Sequence, residues 1–219
     1  MSLAIFDLDN TLISCDSDHA WGEFLIEQGA VDGDAYRQAN DQYLRDYQAG
    51  QLDILAYLAM ALEPLTRHSE EQLNAWHQQF MACKIEPHVL PQAEELLAWH
   101  RQRGDHLLII TATNRFITGP IARRLGVDDL IAIEPERDGK RYTGRVAGVP
   151  SYREGKVIRL EQWLESQAAL TLDDAWFYSD SINDRFLLEK VPNPVAVDPD
   201  DALRRLAEEQ GWRVITLRD

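Results

Sequence analysis

The sequence predicts an α/β fold, a doubly wound parallel sheet, because short apolar segments alternate with segments of helical periodicity. Uninterrupted apolar runs are typical of strands buried on both faces, and strands that alternate with helices form parallel sheets through crossover connections. The predicted strands are residues 3–6, 107–110, 175–178, 194–197 and 213–215. The predicted helices of this core lie around 93–100, 116–125, 157–164, 186–191 and 202–206.

Residues 15–86 interrupt this alternation, since they contain at least four helical patterns and no convincing strand. One of these helices is expected over 52–62, ending near Pro64, and Ser69 with Gln72 resembles a capping box for the next helix. The sequence therefore predicts an inserted all-helical domain at 15–86, with residues 1–14 and 87–219 forming the core.

A second interruption lies at residues 131–145, where Asp138-Gly139 stands between Ile133 and Tyr142. Asp-Gly between apolar residues is typical of a tight hairpin turn. A small β-flap is expected here.

The composition excludes several classes of protein. The chain has 22 basic and 37 acidic residues, a net charge of −15, so nucleic acid is not an expected partner. Cys15 and Cys83 show no metal-ligand spacing, and no segment resembles a signal peptide or membrane span, which together predict a cytoplasmic protein. The oligomeric state is not visible in the sequence.

Carboxylates follow two of the predicted strands. Asp7 and Asp9 come directly after the first strand, and Asp180, Asn183 and Asp184 follow the strand at 175–178. Ligands bind at the carboxyl ends of strands in open α/β sheets, and Mg²⁺ prefers oxygen ligands. The alternative for the first pair is an ordinary solvated turn; the second set of acids favours a magnesium site.

Phosphate-binding groups are expected at matching places. Thr111 ends the strand at 107–110, where its hydroxyl and the N–H of Ala112 suit an anionic oxygen, and Lys156 begins a predicted helix. Taken singly, Thr111 is equally a strand-ending residue and Lys156 a surface lysine. In combination with the acids, they suit a phosphate held beside Mg²⁺.

These motifs resemble those of a known superfamily. Asp7-Leu8-Asp9-Asn10-Thr11, Thr111, Lys156 and the segment from Asp180 to Asp184 look like the four motifs of the haloacid dehalogenase superfamily, in the branch of the phosphoserine phosphatases, subfamily IB. In that family the helical insert is a cap domain. One departure is the second motif, Thr111-Ala112-Thr113-Asn114, where the phosphoserine enzymes usually have serine followed by glycines.

The resemblance implies Mg²⁺-dependent hydrolysis of a phosphomonoester through an aspartyl-phosphate intermediate. It makes Asp7 the nucleophile and Asp9 the group that protonates the leaving oxygen and then activates water. The implied metal ligands are Asp7, the carbonyl of Asp9 and Asp180, with Asp184 in the outer sphere. The implied phosphate-binding groups are Lys156, Thr111, the Ala112 N–H and Asn183.

The insert carries the clue to the substrate, because residues 15–86 hold thirteen acids against four bases. Asp16, Asp18 and His19 follow the first motif directly, and in the family an acid at the position of Asp16 binds the substrate's amino group. The alternative is that these acids cap the following helix, which is the preferred interpretation of Asp18. A substrate with a cationic amine is expected.

Two substrates satisfy this expectation. O-phosphoserine also has a carboxylate, for which Arg45 is the candidate partner, whereas histidinol phosphate has an imidazole and needs no such cation; histidinol phosphate is slightly preferred. Two alternatives to hydrolysis are phosphoryl transfer, as in mutases of the superfamily, and a non-catalytic receiver-like phosphoacceptor. The helical insert and the chain length argue against the receiver. His77 and His100 are expected to be exposed or helix-capping.

Overall fold

The computed structural model describes residues 2–218. Its strands are β1 (Leu3–Phe6), β2 (His106–Asn114), β3 (Asp129–Asp138), β4 (Arg141–Ala147), β5 (Trp176–Ser179), β6 (Asn193–Val197) and β7 (Arg213–Ile215). Its α-helices are α1 (Ser17–Glu27), α2 (Gly33–Gln48), α3 (Ile54–Arg67), α4 (Glu70–Phe80), α5 (Pro91–Gln102), α6 (Arg115–Leu125), α7 (Glu154–Leu164), α8 (Arg185–Leu188) and α9 (Asp201–Gln210). Among residues 2–218, no helix has both the length and the apolar character needed to cross a membrane.

The strands form one sheet in the order β4-β3-β2-β1-β5-β6-β7. All neighbouring pairs are parallel except β3 with β4. Phe6 at the end of β1 pairs with Ile109 of β2 on one side and Tyr178 of β5 on the other. The carboxyl ends of these three strands therefore lie side by side at one edge of the sheet.

Apolar side chains cover both faces of the sheet. Ile5 and Phe177 belong to one buried cluster, together with residues of α7 and α9, while Phe6 and Tyr178 belong to another with residues of α5 and α6. Adjacent strand residues point to opposite faces, so both faces need a helical layer. The prediction of a doubly wound α/β core is confirmed.

Four α-helices, α1 to α4, lie within residues 15–86, where the sequence predicts at least four helical patterns, and α5 follows them before β2. The Ser69 hydroxyl accepts a hydrogen bond of 3.2 Å from the Gln72 N–H and so caps α4. The expected end of the preceding helix near Pro64 is wrong, because α3 continues through Pro64 to Arg67. Leu62 and Leu65 are buried on either side of the proline, and this burial offsets the hydrogen bond that proline removes.

The predicted flap is a hairpin of β3 and β4, in which Asp138 pairs with Arg141 across the turn. The first part of β3 also pairs with β2, so the flap extends the main sheet. The flap packs on the insert through a cluster that includes Leu62 and Ile133. At Gly144, which has φ +79°, an added Cβ would lie 3.1 Å from the Thr66 methyl group, so glycine permits the close approach of β4 to α3.

The expectation that His77 and His100 are exposed is wrong, because both are buried. His77 Nε2 lies 3.0 Å from the carbonyl oxygen of Ile117, and His100 lies between the Asp105 carboxylate and the Tyr178 hydroxyl at 2.8 and 2.9 Å. Polar partners at both rings allow burial without a lost hydrogen bond. Both histidines are therefore buried structural residues.

Candidate active site

The site lies where β1, β2 and β5 end. Asp7 and Asp9 follow β1, Thr111 lies near the end of β2, and Asp180 follows β5. The parallel register described above brings these residues together although they lie far apart in the sequence. They line one cavity between the core and the helical insert.

Lys156 forms the buried centre of the charge arrangement. Its ammonium group lies 2.7 Å from Asp7 Oδ1 and 2.7 Å from Asp184 Oδ2. All three side chains are almost fully buried, and Ser179 donates a further hydrogen bond to Asp184. The single lysine therefore links the first carboxylate of the site to the acid that follows β5.

The loop before α7 fixes the position of this lysine. Ser151 donates a hydrogen bond of 2.7 Å to the carbonyl of Thr111, and Arg153 has a positive φ of 53°. At Gly155, an added Cβ would lie only 2.0 Å from the carbonyl oxygen of Pro150, so glycine is required there. A strained turn at the start of α7 thus directs Lys156 toward Asp7.

Asp9 is held by hydrogen bonds at both carboxylate oxygens. Oδ1 accepts a hydrogen bond of 2.7 Å from the N–H of Ser17, and Oδ2 accepts one of 2.8 Å from the Thr113 hydroxyl. Thr111 lies 3.4 Å from the same Oδ2 and accepts a hydrogen bond from the Thr113 N–H. Sequence reasoning assigned no role to Thr113, although its place in the unusual Thr-Ala-Thr-Asn segment was a signal.

Thr11 joins Asp180 to the first motif by two hydrogen bonds. Its hydroxyl donates one of 3.1 Å to Asp180 Oδ1 and accepts one of 3.1 Å from the Asp180 N–H. Thr11 is a second residue to which sequence reasoning gave no role of its own. Asn183 does not line the cavity; its side-chain amide donates a hydrogen bond of 3.0 Å to the carbonyl of Tyr47 in α2. Asn183 therefore connects the core to the insert in this structure.

Three carboxyl groups of the site have raised pKa values. Burial is the main cause, and it raises the pKa of Asp7 to about 7, that of Asp9 to about 6 and that of Asp180 well above its usual value. Burial lowers the pKa of Lys156, but Asp184 and Asp7 raise it by more, so this lysine is charged. Asp7, Asp9, Asp180 and Asp184 have only Lys156 as a neighbouring cation in the site described above, and their oxygen atoms fit a hard divalent ion such as Mg²⁺.

The insert forms the other wall of the cavity with two acids and several aromatic and apolar side chains. No lysine, arginine or histidine occurs among the described residues that line it. From the insert, the wall comprises Asp16, Asp18, Asn40, Tyr43, Leu44, Tyr47, Leu52, Ile54 and Tyr57.

The candidate substrate residues of the insert divide into two groups. Asp16 and Asp18 line the cavity. Asp16, not Asp18, caps α1, since its carboxylate accepts a hydrogen bond of 2.8 Å from the His19 N–H. The interpretation of Asp18 as the cap is therefore wrong. His19 and Arg45 lie outside the cavity lining: the His19 ring is 2.9 Å from Asp41, and the exposed Arg45 donates to Gln42.

Buried carboxylates at strand ends, a buried lysine and convergent threonine hydroxyls are the components of a phosphoryl-transfer site. The comparisons with known proteins agree with this class. The haloacid dehalogenase-like hydrolase family matches residues 4–189. A histidinol-phosphatase from Neisseria meningitidis serogroup C is 46% identical over 221 residues, which cover 99% of this chain and 99% of that protein.

Two solved structures resemble the whole chain. A protein of unknown function from Bordetella pertussis Tohama I has a TM-score of 0.92 and 44% identity, covering 99% of this chain and 98% of that one. A substrate-bound phosphoserine phosphatase has a TM-score of 0.73 over 100% of this chain and 94% of that one; at 19% identity it shows the fold alone. The chain belongs to the haloacid dehalogenase-like hydrolase family, and the predictions of this family and of a phosphatase are confirmed.

Proposed function

We propose that the protein hydrolyses a small phosphate monoester by transferring the phosphoryl group to Asp7. The Asp7 carboxylate would attack phosphorus in line with the ester oxygen, forming an aspartyl phosphate as the ester P–O bond breaks. Lys156, 2.7 Å from Asp7, supports this role because its charge offsets the repulsion between the carboxylate and the phosphate dianion. Thr111 and Ala112 line the same cavity, where the Thr111 hydroxyl and the Ala112 N–H would bind phosphate oxygens.

Asp9 would serve as the acid and then the base of the reaction. In the first step its proton passes to the leaving alcohol oxygen; in the second its carboxylate takes a proton from the water that attacks phosphorus and releases Asp7 and inorganic phosphate. A pKa raised to about 6 suits both steps near neutral pH. The hydrogen bonds from Ser17 and Thr113 keep the carboxylate in place.

The proposed cofactor is Mg²⁺, which would neutralise charge on the phosphate when bound. Asp7, Asp180 and the backbone carbonyl of Asp9 would hold it, with Asp184 in the outer sphere. The donor set supports this assignment, since it consists of oxygens and, once its acids are ionised, carries more negative charge than Lys156 balances.

The proposed substrate is histidinol phosphate. The carrying observation is the wall of the cavity formed by the insert, which has Asp16 and Asp18 and, among the described residues, no cationic side chain. Such a wall suits an amine and repels a carboxylate, which O-phosphoserine would bring. The relative named histidinol-phosphatase, at 46% identity over nearly the whole length, supports the same choice.

The test is a steady-state assay of inorganic phosphate release from histidinol phosphate and from O-phosphoserine, with EDTA and with added Mg²⁺. We expect Mg²⁺-dependent turnover with a clear preference for histidinol phosphate. One phosphate released per alcohol formed distinguishes hydrolysis from transfer to a second acceptor. Turnover that survives EDTA, or trace activity on both compounds, contradicts the proposal.

A further inference from the structure

The cavity extends beyond the catalytic carboxylates into the helical insert, where Asp18 and Tyr57 stand on different helices. Asp18 belongs to the first turn of α1 and Tyr57 to α3. Both line the cavity, and the Asp18 residue is only 8% exposed. A buried carboxyl group facing a cavity needs a hydrogen-bonding or charged partner.

Asp18 differs from its neighbour Asp16 in how its carboxyl group is used within the chain. Asp16 accepts the hydrogen bond of the His19 N–H and so stabilises the start of α1. Asp18 has no such capping role, and no ion pair involves it among residues 2–218. Burial, with a smaller effect of Asp16, raises the pKa of Asp18 to about 8, and hydrogen bonding with Tyr57 opposes the rise. The Asp18 carboxyl thus has no cationic partner among the described residues, and a cationic ligand would favour its ionised form.

The surroundings of this pair suit a flat ring. The rings of Tyr43 and Tyr57 are 5.3 Å apart at an angle of 64°, and Leu52 and Ile54 complete an apolar wall. A planar heterocycle packs well against such aromatic edges and faces. An imidazole has one ring N–H, which a carboxylate accepts, and one ring nitrogen, to which a phenol hydroxyl donates; its protonated form pairs with the carboxylate.

We infer that Asp18 and Tyr57 form a subsite for the imidazole ring of the substrate, separate from the place that the amine occupies beside Asp16. The inference rests on the proposed function and adds a determinant of specificity to it. Asp16 lines the same cavity as Asp7, which suits an amine close to the phosphate ester. Asp18 and Tyr57 then meet the part of the substrate that distinguishes histidinol phosphate from simpler amino-alcohol phosphates.

The experiment compares histidinol phosphate with O-phosphoethanolamine, which has the amine and the phosphate but no ring. Wild type, Asp18→Asn and Tyr57→Phe are assayed with Mg²⁺ on both substrates. Losing a hydrogen bond to a charged group weakens binding by roughly 10- to 100-fold. We expect Asp18→Asn to lower kcat/KM for histidinol phosphate, relative to O-phosphoethanolamine, by about 10-fold or more, mainly through KM, and Tyr57→Phe by about 3- to 10-fold.

The matched control is Asp34→Asn, which makes the same chemical change on the exposed surface of α2. This variant should leave the ratio of the two kcat/KM values within about twofold. Inhibition by the product histidinol gives a second readout: its inhibition constant should rise in Asp18→Asn, while that of inorganic phosphate should not.

The outcomes separate the inference from the proposed function. If wild type prefers histidinol phosphate but both variants lose activity equally on the two substrates, the subsite is refuted and the proposed function stands. If wild type does not turn over histidinol phosphate, the proposed function itself fails. If thermal melting shows Asp18→Asn to be unfolded, Tyr57→Phe decides, since it removes a single hydroxyl.

Discussion

The two ends of the cavity surround their acidic groups with different partners. At the core end, Asp7 and Asp184 are each 2.7 Å from the Lys156 ammonium, and Asp9 and Asp180 accept hydrogen bonds from threonine hydroxyls. At the end formed by the insert, Asp16 and Asp18 line the wall together with tyrosines, and no described cationic side chain lines it. The core end therefore balances part of its own charge, whereas the other end depends on its ligand for positive charge.

The largest effect is expected at the nucleophile. Asp7→Asn removes the attacking carboxylate but keeps its size, so phosphate release should fall on the order of 10⁴-fold or more. The circular dichroism spectrum should be that of wild type, and Asp34→Asn provides the matched control with normal activity. Appreciable turnover by Asp7→Asn would refute the assignment of Asp7.

Lys156→Met tests whether the core end needs its internal cation. Losing the charge beside the transferred phosphoryl group should lower kcat by roughly 10²- to 10³-fold. It also leaves Asp7 and Asp184 buried without a cation, which in EDTA should cost about 3–5 kcal/mol of unfolding free energy. The phosphatase assay measures kcat, and a denaturant titration measures the free energy of unfolding. Lys190→Met, which removes an exposed ion pair with Glu161, should change neither quantity appreciably. A wild-type denaturation curve for Lys156→Met would contradict the stabilising role of this lysine.

Asp18→Asn tests the end formed by the insert through the pH dependence of stability. The folded protein holds the Asp18 proton up to about pH 8, whereas the unfolded chain loses it near its ordinary pKa, so this residue's contribution to stability falls as pH rises between the two. The variant lacks this loss and should be more stable than wild type at pH 8 by roughly 1–3 kcal/mol, with little difference at pH 4. Thermal melts at both pH values measure it. An equal difference at both would show that Asp18 ionises normally in the folded state.

Arg45→Ala should have the smallest effect. The side chain is exposed, donates to Gln42 and lies outside the cavity. Its removal should leave kcat/KM for histidinol phosphate and for O-phosphoserine within about twofold of wild type. A selective loss on O-phosphoserine would instead show that Arg45 reaches the substrate carboxylate.

The sequence predicted the core well because its signals are local. Each strand is an apolar run, and each acid of the core motifs follows a strand directly, so the topology of a parallel sheet was enough to bring Asp7, Asp9 and Asp180 together. The family motifs added Lys156, whose path to Asp7 depends on the turn at Gly155. The domain boundaries between core and insert, at residues 14/15 and 86/87, stay predictions. The catalytic and binding roles of the site residues also stay predictions.

The wall formed by the insert was harder to predict, because its residues come from three helices whose packing no local pattern specifies. Sequence position placed Asp16, Asp18 and His19 together, but only the first two line the cavity, and helical geometry turns His19 toward Asp41. Tyr57 lies about forty residues from Asp18 and left no signal in the sequence. The burial of His100 likewise depends on distant partners, chiefly Tyr178.

The end of the cavity within the insert is proposed to select a cationic substrate. The most direct measurement is the ratio of kcat/KM for histidinol phosphate to that for O-phosphoserine, taken with Mg²⁺ near neutral pH. The carboxylate of O-phosphoserine would be buried beside Asp16 and Asp18 without a cation, which costs several kcal/mol, so we expect a ratio of about 100 or more. A ratio near one, or a preference for O-phosphoserine, would show that this end of the cavity does not select a cationic substrate.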